Sequence, residues 1–228
     1  MVAVADQLRN SFKIPANYEQ RAHFYDSIVL IGTVALAVIG ALVLTTMAVT
    51  QPDMERALAL MTYGLTVVLT QSLSASYNLN RELKWVERLR ACDHAGIFAQ
   101  IAGTFTPLAV IGIGGTNGAI LLALVWGAAA TGAFLKLNFP RRYERCGTAA
   151  YLVLGWLIVP LIVPLRATLP IEALWLLTAG CVIYSIGVGF HLARRIRYHN
   201  VIWHACVLAG AACHFIMIAV YVADVPRP

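Results

Sequence analysis

The chain is predicted to be an all-α, polytopic membrane protein, a bundle of seven transmembrane helices. Three observations predict it. Of the 228 residues, 60% are hydrophobic and 12% are charged, whereas an ordinary soluble domain carries about 25% charge. Seven uncharged apolar runs divide the chain, each near the ~20 residues needed to cross the hydrocarbon core. Finally, Lys and Arg gather in alternate connections, the pattern of a chain that threads a bilayer repeatedly. Backbone groups in lipid must bond within their own segment, so such runs are helices. The two-residue alternation of a transmembrane barrel strand is absent.

Residues 1–26 are polar and mixed in charge, and are read as a cytoplasmic N-terminal segment. Within it, Val2 to Phe12 has the composition of a short helix lying on the membrane surface. The apolar run that follows begins too late and runs too long for a cleaved secretory signal, so it is a retained first helix. The seven runs cover 27–50, 57–77, 95–113, 118–135, 147–165, 173–190 and 200–222. They define a membrane domain over 27–222 and an external C-terminal tail over 223–228. Pro107 is expected to bend the third helix, and Pro160 and Pro164 the fifth. Small residues recur at close spacing, as in Gly96/Gly103 and Ala128/Gly132, and predict helices in close approach. No strong internal repeat appears, which disfavours an inverted-repeat transporter.

Charge sets the orientation. Fourteen of the 17 Lys and Arg residues fall on one side. They lie in the N-terminal segment (Arg9, Lys13, Arg21) and in the stretches after the second (Arg81, Lys84, Arg88, Arg90), fourth (Lys136, Arg141, Arg142, Arg145) and sixth (Arg194, Arg195, Arg197) runs. Only Arg56, Arg166 and Arg227 fall on the other. This places the N-terminus in the cytoplasm and the C-terminus outside, with the bacterial inner membrane as the expected location. The net charge of +6 is a topology signal, and nucleic acid is excluded as a partner. The five cysteines form no Cys-x-x-Cys pair and are read as small apolar residues of the helices.

The chemistry concentrates at three helix ends on the cytoplasmic side. The second helix ends with Ser74 and Asn78, which share a face. The third begins with Asp93 and His94. The last begins with Asn200 and His204, again four apart. If these ends meet, Ser74, Asn78, Asp93, Asn200 and His204 converge on one polar pocket at the inner leaflet. No acid lies deep in a helix, against a proton-coupled pump, and no mid-helix Lys is available for a retinal Schiff base.

The segment RLRACDHAGIFAQIAGTFTP (Arg88 to Pro107) resembles the third-helix signature of the hemolysin III family. That family belongs to the wider group of progestin and adipoQ receptors. WHACVLAGAACHF (Trp203 to Phe215) resembles its last-helix signature. The resemblance implies a zinc ion near the cytoplasmic ends of helices 2, 3 and 7. The pattern is Ser-x-x-x-His ending helix 2, Asp starting helix 3 and His-x-x-x-His starting helix 7. Three histidines hold zinc and the Asp holds a zinc-bound water. Ceramidase-like hydrolysis of lipid amides is attributed to the receptor branch. Carried over residue by residue, Ser74, Asp93 and His204 match. Ser74 and Asp93 thus take the catalytic positions, and His204, Asn78 and Asn200 the metal positions. Asn78 and Asn200 depart from the pattern, each standing where the family has His. A neutral carboxamide oxygen suits harder ions better than zinc, so the expected pocket is weakened in metal binding or metal-free.

Each residue also has a plainer reading. Asp93 suits a helix N-cap, and Ser74 can bond back to its own helix. His204 can be a structural hydrogen-bonding residue. His214, ten residues on and about 15 Å away by helical rise, lies too deep to share a metal with His204. The hydroxyl-bearing face Thr62, Thr66, Thr70 and Ser74 either lines a cavity or bonds within its helix. The function expected is a membrane protein that binds or acts on membrane lipid. The alternatives are a zinc-dependent hydrolase of ceramide-like amides and a pore-forming or channel-modulating protein.

Overall fold

The computed structural model of the chain describes residues 18–51, 53–80, 82–139, 141–142, 144–223 and 225. The expected surface helix over Val2 to Phe12 lies outside them. Among the described residues all regular structure is helical, and seven stretches are long and apolar enough to cross a membrane.

Helix α1 (Tyr18–Val49) starts well before the apolar run, because no Gly or Pro interrupts the chain between Pro15 and Gly32. It is followed by α2 (Met54–Leu79) and α3 (Leu83–Pro107). In the most apolar stretch of the third span 72% of residues are buried, against 17% in α1. The third span therefore forms the axis of the bundle, and α1 faces lipid. Close approach of α2 to α3 depends on Gly103, where an added Cβ would overlap the Thr66 hydroxyl.

Pro107, where a bend is expected, marks the change from α-helix to π-helix. Its missing N–H loosens the helix, which continues as a π-helix over Leu108–Ile113 with Gly114 N bonded to Ala109 O at 2.9 Å. Gly114, at φ 69°, then turns the chain into α4 (Gly115–Asn138). The fifth span is more interrupted than a bend. It comprises α5 (Glu144–Trp156), a 3₁₀ turn at Val159–Leu161 and the single turn α6 (Ile162–Leu165), with Pro160 and Pro164 removing backbone donors. Helix α7 (Ile171–Leu192) leads through Tyr198, which is left-handed at φ 60°, into α8 (His199–Ile216). A second π-helix, Met217–Val222, ends the last span and packs against the first.

The apolar core is densest away from the basic connections. Leu60, Leu108, Leu165, Met217, Ile218 and Val222 are all fully buried there. At the same end the buried Arg56 guanidinium donates to the Val225 carbonyl and lies 3.7 Å from the Asp53 carboxylate. The five cysteines are free thiols.

Candidate functional pocket

Ser74 and Asn78 of α2, Asp93 of α3, and Asn200 and His204 of α8 all line one cavity of about 930 Å³. It opens at the end of the bundle that carries the basic connections. The first two groups come together through packing of α2 on α3. The Ser74 hydroxyl and the Asp93 carboxylate face each other across the α2–α3 contact. Asp93 is not an N-cap: α3 begins at Leu83, and Asp93 sits almost three turns inside it. The early start also puts Lys84, Arg88 and Arg90 on a helix rather than in a loop, and Arg90 lines the cavity.

The Asn78 amide nitrogen donates to the Ser74 carbonyl at 2.9 Å and lies 3.4 Å from the Ser74 hydroxyl. Its carboxamide is thus tied to its own helix. Asn200 is exposed at the rim. His204 is 6% exposed, and its Nδ1 lies 2.6 Å from Oδ1 of Asp26. Asp26 belongs to α1, in the stretch the sequence assigned to the polar N-terminal segment. The unbroken run after Pro15 was the signal that could have placed it on a helix.

Lys136 and a deeper polar chain were missed as well. Lys136, counted as a loop residue, lies in the last turn of α4, is 3% exposed and lines the cavity with its ammonium 5.9 Å from the Tyr151 ring centre. His94, His191 and His199 also line it. About two turns deeper a polar chain crosses the bundle. Gln71 Nε2 donates to Gln100 Oε1 at 3.1 Å, and Gln100 Nε2 donates to the Tyr184 hydroxyl at 2.9 Å. The hydroxyl face of α2 divides. Thr70 and Ser74 line the cavity, Thr70 bonding Gly96 O at 2.8 Å across to α3, while Thr66 bonds back to Tyr63 O. Phe105, Leu108, Ile158 and Leu177 make the deep part of the lining apolar. His214 sits at that depth, its Nε2 3.2 Å from Leu177 O.

The donor set does not suit the zinc ion that the resemblance implies. A catalytic zinc takes three ligands, chiefly imidazole, thiolate or carboxylate. Of the three family positions only His204 offers an imidazole, with Nδ1 held by Asp26 and Nε2 as its one available nitrogen. Asn78 spends its amide nitrogen on Ser74 and offers only a neutral carbonyl oxygen. Among the described residues no three His, Cys, Asp or Glu side chains converge as a metal-holding group. What the arrangement offers instead is hydrogen bonding. A buried imidazole, a carboxylate and a hydroxyl stand at the mouth of a cavity whose floor is apolar.

Comparison with known proteins identifies the relatives. The Haemolysin-III related family model matches residues 27–215. The "Hemolysin-3 homolog" of Bacillus subtilis (strain 168) is 35% identical over 164 residues, 72% of this chain and 77% of that protein. The "Hemolysin-3" of Bacillus cereus is 35% identical over 160 residues, 70% of this chain and 73% of that protein.

Proposed function

The chain belongs to the haemolysin-III related family of multi-pass membrane proteins, and from that premise we propose that its pocket binds an amphiphilic membrane lipid. The polar end of the ligand rests at the cytoplasmic mouth, among Asp93, His204 and Ser74, and its chain enters the apolar depth. The observation that carries this reading is the gradient within one cavity, from charged and hydroxyl groups at the mouth to Phe105, Leu108 and Leu177 below. Cavities of about 300–1,000 Å³, largely apolar with a few convergent polar groups, are the usual form of small-molecule sites.

The energetics assign the roles. A lipid chain moving from bilayer to cavity leaves one apolar medium for another, so burial alone gives little affinity. Selection falls to the polar end, where each hydrogen bond contributes about 1 kcal/mol. A zinc-dependent amide hydrolase is the weaker reading, because two carboxamides occupy ligand positions and Asp93 alone is a poor activator of water. A conducting pore is also weaker, since Leu108 and Leu177 at the deep end are packed to 0% and 1% exposure.

The test is to purify the protein in mild detergent and identify bound lipid by native mass spectrometry. About one amphiphile per chain is expected, displaced in Val207→Phe, which fills the cavity wall. Equal lipid content in both proteins, or none in either, sinks the reading.

A further inference from the structure

Asp26 stands behind His204 rather than in the cavity. His204 lines the cavity and Asp26 does not, yet their Nδ1 and Oδ1 atoms are 2.6 Å apart. The contact joins the first and last spans, 178 residues apart in sequence, and both side chains are largely withdrawn from solvent at 7% and 15% exposure. A carboxylate accepts hydrogen bonds and cannot donate them. It therefore holds the ring with hydrogen on Nδ1, as carboxylates hydrogen-bonded to functional histidines do. The opposite ring edge, Nε2, is left for the cavity side, where Asp93 is close enough to interact electrostatically with the ring.

We propose that Asp26 is the positioning residue of the pocket. It fixes His204 as the Nδ1–H tautomer and presents Nε2 as a hydrogen-bond acceptor, so that the site selects amphiphiles whose polar end carries a donor O–H or N–H. The selection of a ligand rests on the lipid-binding reading above; the tautomer does not. Neither the signatures of helices 3 and 7 nor the Ser74/Asn78 pair points to α1, which Asp26 brings into the site. The groups facing His204 are Asp26 from α1, Asp93 from α3 and His191 from α7, and His199 on its own helix also interacts with Asp26. Of these, Asp26 is the one in hydrogen-bond contact with a ring nitrogen.

The experiment has two arms. In the first, protein labelled with ¹⁵N-histidine is studied by NMR at about pH 9, where an ordinary imidazole is neutral, and the His204 signals are assigned by their loss in His204→Gln. The wild type is expected to carry hydrogen on Nδ1 with Nε2 bare. Asp26→Asn, whose amide can donate to Nδ1, is expected to shift His204 toward the Nε2–H form, and Asp26→Glu to restore the original pattern. An Nε2–H wild type, or an Asp26→Asn spectrum unchanged at His204, overturns the proposal. In the second arm, binding of hexadecanol is compared with that of hexadecyl methyl ether, which lacks the donor. The wild type is expected to prefer the alcohol severalfold, up to about tenfold, and Asp26→Asn to lose that preference. Equal binding of the two probes by the wild type, or a preference that survives in Asp26→Asn, overturns the ligand inference. Failure to bind either probe counts against lipid binding itself, and the tautomer arm is read independently.

Discussion

The two ends of the bundle use similar residues to opposite effect. At the end away from the basic connections, Arg56 lies buried beside Asp53 and grips the Val225 carbonyl, amid side chains packed to near-zero exposure. At the basic end, Asp26 of α1 grips His204 of α8, and the ring borders a cavity of about 930 Å³. One charged contact closes a packed structure, and the other holds a wall. A polar side chain in a membrane helix is costly unless partnered. The comparison shows that a partner alone does not identify a role, because the space beside the pair does.

The comparison can be broken by mutation. The largest expected effect is at the axis. Gly103→Leu forces α2 away from α3 at Thr66 and is expected to cost about 3 kcal/mol or to prevent folding, read by thermal unfolding in detergent. Leu60→Ala in the packed end is expected to cost about 2–5 kcal/mol, and Arg56→Ala about 2 kcal/mol through loss of a charged hydrogen bond. Both should leave bound lipid unchanged. If either strips the lipid as thoroughly as Val207→Phe, the ends are not independent. The smallest effect on stability is expected from Asn78→His combined with Asn200→His, within about 1 kcal/mol because neither side is fully packed. This double variant is expected to gain about one zinc per chain by elemental analysis. Zinc at background would show that the two asparagines do not stand at ligand positions.

Hydropathy made the spans legible because lipid imposes a single rule along the whole chain. The seven runs correspond to the seven spans, and Ser74, Asn78, Asp93, Asn200 and His204 line a common cavity. What was not legible depends on contacts that spacing cannot express. Asp26 looked like the tail of a polar segment, since hydropathy marks where a helix enters lipid and not where its hydrogen bonds begin. Lys136 was counted as a loop charge for the same reason, although its long stem lets it lie buried in the last turn of α4. The interruption at Val159–Leu161 was foreshadowed by Pro160. The π-helix at Met217–Val222 contains neither Gly nor Pro, and it packs against its counterpart after Pro107. No local residue announces it.

The contact between Asp26 and His204 also sets an order of assembly. The two residues are 178 positions apart, and a ribosome adds roughly 5–20 residues per second. Asp26 is therefore made roughly ten to forty seconds before its partner exists. A nascent chain with six spans in place has most of its lipid-facing surface but no complete pocket wall. The last span does more than finish the bundle: its arrival is the event that completes the wall of the cavity. A chain truncated before α8 would remain in the membrane with Asp26 lacking the imidazole it holds.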